Sequence, residues 1–114
     1  MPSPDAVRLR HMLEAAATAL EMTAAYERAD LSTNTMLAMA LTRCLEIFGE
    51  AASKVSADAA ARFPAIPFAK IVAMRNRLIH AYFDVDLDIL WTTVKEDLPA
   101  LLPVLGQALA SIDS

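Results

Sequence analysis

The sequence predicts an all-α fold, an up-and-down bundle of four to five helices in a single domain spanning residues 1–114. Three observations carry this. Apolar residues recur at three- and four-residue steps, the spacing that lines one face of a helix. Glycine occurs only twice, and 56% of the residues are hydrophobic, with many Ala, Leu and Met, a composition suited to packed helices rather than to a turn-rich β-fold or a disordered chain. No stretch shows the alternation of a half-buried strand.

Each element follows in order. Ser3-Pro4-Asp5 reads as a helix start, with a capping hydroxyl, a proline where no N–H is needed, and an acid in the positive first turn. This first helix is expected to run to about Arg28, burying Val7, Leu9, Leu13, Ala16, Leu20 and Ala24. Asp30 to Thr33 offer caps for a second helix, expected over Thr33 to Ser56, whose inner face is Leu37, Leu41, Leu45, Phe48, Ala52 and Val55. Gly49 inside it costs about 1 kcal/mol as helix relative to alanine, and close approach of another backbone is the expected compensation. Residues 56–67, with Pro64 and Pro67, read as a connection holding one short helical turn. A third helix starts near Pro67 and turns Ile71, Met74, Leu78 and Phe83 to the core. Asp86 caps a fourth helix carrying Leu87, Leu90, Trp91 and Val94. Asp97 and Pro99 then reset the chain into a fifth helix or a kinked continuation.

Charge and cysteine usage narrow the function classes. A net charge of −4 argues against a broad basic surface that coats nucleic acid, while leaving room for a small cationic site. Cys44 is the sole cysteine, so no disulfide framework exists within the chain. The longest run without a charged residue, Leu98 to Ile112, is broken by Pro99, Pro103 and Gly106 and is too short to span a bilayer. Charged residues at Asp5, Arg8 and Arg10 fall where an export signal needs an apolar core, so the expected address is cytoplasmic.

One segment concentrates reactive side chains: Arg75-Asn76-Arg77-Leu78-Ile79-His80-Ala81-Tyr82. On a regular helix Asn76 and His80 lie about 40° apart around the axis and share a face, whereas Arg75 lies about 140° from His80. Two antiparallel copies would bring arginine and histidine to one small group more readily than one copy. Arginine supplies a permanent forked cation matched to phosphate, and histidine exchanges a proton near neutrality. These are the parts needed to cleave RNA without a metal. A base deprotonates the ribose 2′-hydroxyl, that oxygen attacks phosphorus, an acid protonates the leaving oxygen, and cations stabilise the developing charge. One imidazole serves as base or acid, so a homodimer with two His80 residues divides the roles. Lys70 and Arg77 add local positive charge for RNA in an otherwise acidic chain. On spacing alone a solvated cluster of caps and ion pairs is the commoner explanation. Tyr82 and Trp91 on the same ground are core aromatics with a polar tip.

Other chemistries find little footing. His11 and His80 are the only histidines, and no metal-ligand spacing is present. Cys44 sits among Leu41, Leu45 and Phe48 and reads as a core thiol. Asp84, Asp86 and Asp88 lack the glycine and terminal glutamate of a calcium loop, and no phosphate-cradling glycine loop occurs.

Three stretches together, 43–51 (Arg-Cys-Leu-Glu-Ile-Phe-Gly-Glu-Ala), 63–68 (Phe-Pro-Ala-Ile-Pro-Phe) and 75–82, continuing through Leu90-Trp91 and Leu98-Pro99, resemble the HepT-like family. These are minimal ribonuclease toxins of the HEPN superfamily. The resemblance covers essentially the whole chain, and departs at Phe68, where the family commonly has tryptophan. It implies a HEPN-like bundle that dimerises so that two Arg-x4-His motifs form one cleft. It implies metal-independent endoribonuclease activity on cellular RNA, tRNA or mRNA, with no cofactor. It further implies a cognate minimal nucleotidyltransferase as antitoxin. Carried over by position, Arg75 stabilises the scissile phosphate, Asn76 orients the site, His80 is the acid/base, and Tyr82 is the tyrosine such antitoxins adenylylate. The alternative is a non-catalytic helical module that binds the same partner. Gly49 and the surplus apolar residues lead to the expectation that the dimer forms through the second and third helices.

Overall fold

The first helix ends at Thr23, whose hydroxyl and carbonyl both make hydrogen bonds. In the computed structural model, which describes residues 3–79 and 85–112, α1 spans Pro4–Thr23. Ser3 caps it by accepting from the Ala6 N–H at 3.1 Å. At the other end the Thr23 hydroxyl donates to the Ala19 carbonyl at 2.9 Å. The Lys95 ammonium reaches across to the Thr23 carbonyl at 3.0 Å. The helix stops five residues short of the expected Arg28. Arg28 instead opens a short helix, α2 (Arg28–Thr33), started by the Asp30 carboxylate accepting from the Glu27 N–H at 2.7 Å.

The expected second helix is α3 (Thr35–Ser53), capped by Asn34, whose side chain accepts from the Leu37 N–H at 3.0 Å. Of its predicted inner face, Leu37, Leu41, Leu45, Phe48 and Ala52 are buried, while the helix stops at Ser53, short of the expected Ser56, and leaves Val55 beyond its end and only partly buried. The connection that follows holds α4 (Ala57–Arg62). Ser56 caps it while being gripped by Asp5, which accepts from both the Ser56 N–H and hydroxyl at 2.8 and 2.7 Å. α5 (Phe68–Ile79) begins just after Pro67, as expected, and buries Ile71 and Leu78. Asp86 caps α6 (Leu87–Thr92) by accepting from the Asp88 and Ile89 N–H groups at 3.0 and 3.1 Å.

Between α6 and α7 (Leu98–Ser111) the chain makes a π turn, Thr93–Asp97, in which the Leu98 N–H reaches back five residues to the Thr93 carbonyl. Pro99 has no N–H for the carbonyl four residues earlier, and its ring needs room there; widening the helix meets both demands. Of the two expectations, a continuation through a π turn into α7 is what forms.

The bundle is organised around α3, which packs against α1 and α5; α1 in turn packs against α7 and the π turn, and α2 against α3 and α6. The core joins Leu9 and Met12 of α1, Leu41, Leu45 and Phe48 of α3, and Leu90, Val94, Leu98 and Leu105 of the last helical stretch, all essentially removed from solvent. Arg62 ties down the end of α7 by donating to the Ser111 and Ile112 carbonyls at 3.3 and 3.2 Å. Among the described residues no helix is long and apolar enough to cross a membrane.

Candidate functional site

The site grows from the crossing of α3 and α5. Gly49 faces α5 at Arg75, whose Cα lies 3.4 Å from the point a Gly49 methyl group would occupy, with the Arg75 Cβ nearer still. No side chain fits, so the two helices meet at a spot only glycine allows. The expected close approach at Gly49 is therefore real, and it occurs within the chain. The glycine is accordingly no argument for a dimer contact.

This crossing fixes the direction of Arg75. Its side chain, 24% exposed, lies against the outer edge of α3 and pairs through Nη2 with the Glu50 carboxylate. Nη1 donates to the Asn76 side-chain oxygen at 2.8 Å. Lys54 holds the other Glu50 oxygen at 3.3 Å. The hydrogen bond from Lys54, then the charge of Arg75, keep the Glu50 carboxyl below its ordinary pKa. A guanidinium carries five N–H donors, so the group is anchored through two nitrogens while donors remain for an anion such as a phosphate.

Lys70 and Arg77 point elsewhere. Together with Met74 they sit at i, i+7 and i+4 on one face of α5, about 200° round the helix from Arg75 in the case of Arg77. They line a groove of about 550 Å³ between α5 and the π turn, with Phe48 in its floor and Glu96 and Asp97 on the opposite wall. The structure thus brings Arg75 and Asn76 together and places Lys70 and Arg77 in a separate groove on the far side of α5. His80 and Tyr82 lie outside the described residues, as do Phe83 and Asp84.

Glu50 was not singled out as a functional residue by the sequence. The available signal was its place directly after the close-approach glycine and one turn before Lys54. Cys44 is buried, and desolvation pushes its thiol pKa up, the opposite of an activated nucleophile. Among the described residues no three His, Cys, Asp or Glu side chains converge to hold a metal ion.

Comparison with known proteins identifies the family. Residues 12–108 match the sequence model of the family described as "Ribonuclease HepT-like". A Methanocaldococcus jannaschii protein named "Putative RNase MJ1380" is 39% identical over 93 residues, covering 82% of this chain and 85% of its own. A Thermococcus cleftensis protein named "Probable ribonuclease HepT" is 50% identical over 62 residues, covering 54% of this chain and 56% of its own. A Caldanaerobacter subterraneus protein, "Putative RNase TTE0752", is 31% identical over 93 residues, covering 82% and 83%. No solved structure matches. The breadth of the family match and the extent of the Methanocaldococcus relative place the chain in the HepT-like ribonuclease family.

Proposed function

We propose that this chain, as a single domain in the cytoplasm, is the toxin of a toxin–antitoxin pair, an endoribonuclease that cuts cellular RNA by 2′-hydroxyl attack without a metal. The observation that carries the reading is the Glu50–Arg75–Asn76 cluster in a member of a ribonuclease family. A guanidinium fixed in direction before substrate arrives has no reorganisation left to make as negative charge builds on the phosphate. Arg75 binds the non-bridging phosphate oxygens, and Asn76 holds it in place. One His80 takes the 2′-hydroxyl proton while a second, from another copy, protonates the departing 5′-oxygen. The products are a 2′,3′-cyclic phosphate and a 5′-hydroxyl. Lys70 and Arg77 contact the RNA strand beyond the cut.

The reading requires a homodimer. Its support is the outer face of α3, where Met36 and Met39 are 82% and 68% exposed and Ile47 continues the line. Arg43 and Glu46 flank it, a pairing that a twofold axis can complete between copies. Dimeric mass in solution, lost in Met39→Glu, is the expected result; a monomer at micromolar concentration refutes the composite site.

The cognate nucleotidyltransferase silences the toxin by adenylylating Tyr82, putting bulk and negative charge where the RNA must lie. Intact-mass analysis after co-expression with such a partner should show AMP on Tyr82 and none on Tyr82→Phe. The catalytic test is cleavage in EDTA by the unmodified protein, with cyclic-phosphate ends, and a folded but inactive His80→Ala. The ion pair of Arg75 with Glu50, which offsets its charge, favours one competing reading, a non-catalytic module binding the same partner. Growth arrest that persists in His80→Ala selects that reading over the nuclease.

A further inference from the structure

The groove between α5 and the π turn is built for something other than a uniform polyanion. Its volume of about 550 Å³ falls in the range of small-molecule sites, and its three surfaces differ. Lys70, Met74 and Arg77 line it from α5, Glu96 and Asp97 from the π turn, and Phe48 from α3. Among the described residues none of these four charged side chains is in an ion pair or a side-chain hydrogen bond. The walls therefore do not satisfy each other, and their charges remain available to a ligand.

The acidic wall is contributed by the π turn. Lys95 points inward to the Thr23 carbonyl and over the Trp91 ring, 5.0 Å from its centre, while the next two residues line the groove facing α5. Such turns commonly aim side chains at binding sites.

We propose that this groove is a base-recognition subsite that takes an unstacked guanine of the RNA strand, with its flanking phosphates on Lys70 and Arg77. The inference rests on the ribonuclease reading for its ligand. A base slots against the apolar floor, as single-stranded RNA is commonly read by its splayed bases. The carboxylates choose among bases. Guanine alone presents two parallel donors, N1–H and the 2-amino group, to the two oxygens of one carboxylate. Adenine and cytosine pair one amino donor with a ring nitrogen that repels the second oxygen, and uracil offers a single N–H between two carbonyls. Lys70 and Arg77 are seven residues apart, about 10.5 Å along the helix, a span that reaches the phosphates on either side of one nucleotide.

The test uses the full chain with labelled Met and Ile methyl groups, titrated with GMP, with UMP, and with 2′-O-methyl RNA decamers containing one guanine or none. Expected are shifts at Met74 and Ile71, affinity for GMP at least tenfold above UMP, and tighter binding of the guanine decamer than of GMP. The Glu96→Gln/Asp97→Asn variant should bring the GMP to UMP ratio close to one. Unmoved methyls, equal affinities, or a preference that survives in the variant overturn the subsite. GMP binding tighter than the decamer overturns its assignment to an RNA strand. Cleavage of unmodified RNA is scored separately, so that a nuclease without groove binding loses the subsite alone. A binding groove without cleavage loses the nuclease alone.

Discussion

Gly49 of α3 and Arg75 of α5 share a point of contact that admits no side chain at position 49, so the absence of one atom group sets the direction of the guanidinium. Its neighbour Glu50 then closes the arrangement with an ion pair. A glycine that looks like a defect in a helix is in this way the foundation of the candidate site.

Gly49→Ala should force the helices apart or push Arg75 off its rotamer. Overpacking of this kind costs roughly 1–3 kcal/mol, against which alanine returns about 1 kcal/mol of helix propensity. Thermal unfolding should show a net loss of stability, and RNA cleavage should fall further than stability does. A variant with unchanged melting temperature and full cleavage contradicts the contact.

The Glu50 carboxyl has a lowered pKa in the folded chain, so it binds protons less readily there than when unfolded. Its contribution to stability is fully present above the ordinary carboxylate range, roughly pH 4.3. It disappears as pH falls through the lower folded value. Glu50→Gln should therefore melt below the wild type at pH 7, with the gap narrowing as pH falls below the ordinary carboxylate range. A gap of the same size throughout contradicts the pairing with Lys54 and Arg75.

Much of the fold was legible because helical spacing and caps are local. Ser3 and Asp86 cap as their residue types predict, and the line expected from the spacing of α3, Leu37, Leu41, Leu45, Phe48 and Ala52, is buried, joined by Cys44, Gly49 and Ala51. In α1 the stripe is rotated. Leu9, Met12, Ala16, Ala19 and Thr23 are buried, while Leu13 and Leu20 are only partly so. Alanines on several faces leave the choice to the neighbours, and packing against α3 and α7 made it. At the end of α1 the Thr23 carbonyl accepts from Lys95, seventy-two residues away, a contact that no local pattern records. The same holds for Glu50, whose role depends on a partner twenty-five residues on, and for the groove, whose acidic wall comes from a π turn opposite residues of a different helix.

Cys44 should react slowly with thiol reagents in the folded protein, since burial disfavours the thiolate. Reaction at least about tenfold faster after unfolding is the expected outcome. Equal rates in both states would mean that the α1–α3 contact opens readily around it.

Truncating the core where α3 crosses its neighbours gives a calibration for the other variants. Leu45→Ala removes a side chain with no exposure and should cost about 2–5 kcal/mol in denaturant unfolding. A loss under 1 kcal/mol would place Leu45 outside the packed centre.

Steady-state cleavage of a single RNA linkage by Arg75→Ala bears most directly on the account. With helix content and oligomeric mass unchanged, kcat/KM should drop by roughly 100- to 1,000-fold. The wild type should meanwhile leave cyclic-phosphate ends. Undiminished cleavage by a folded Arg75→Ala would show that the anchored guanidinium is not where the phosphate charge is met.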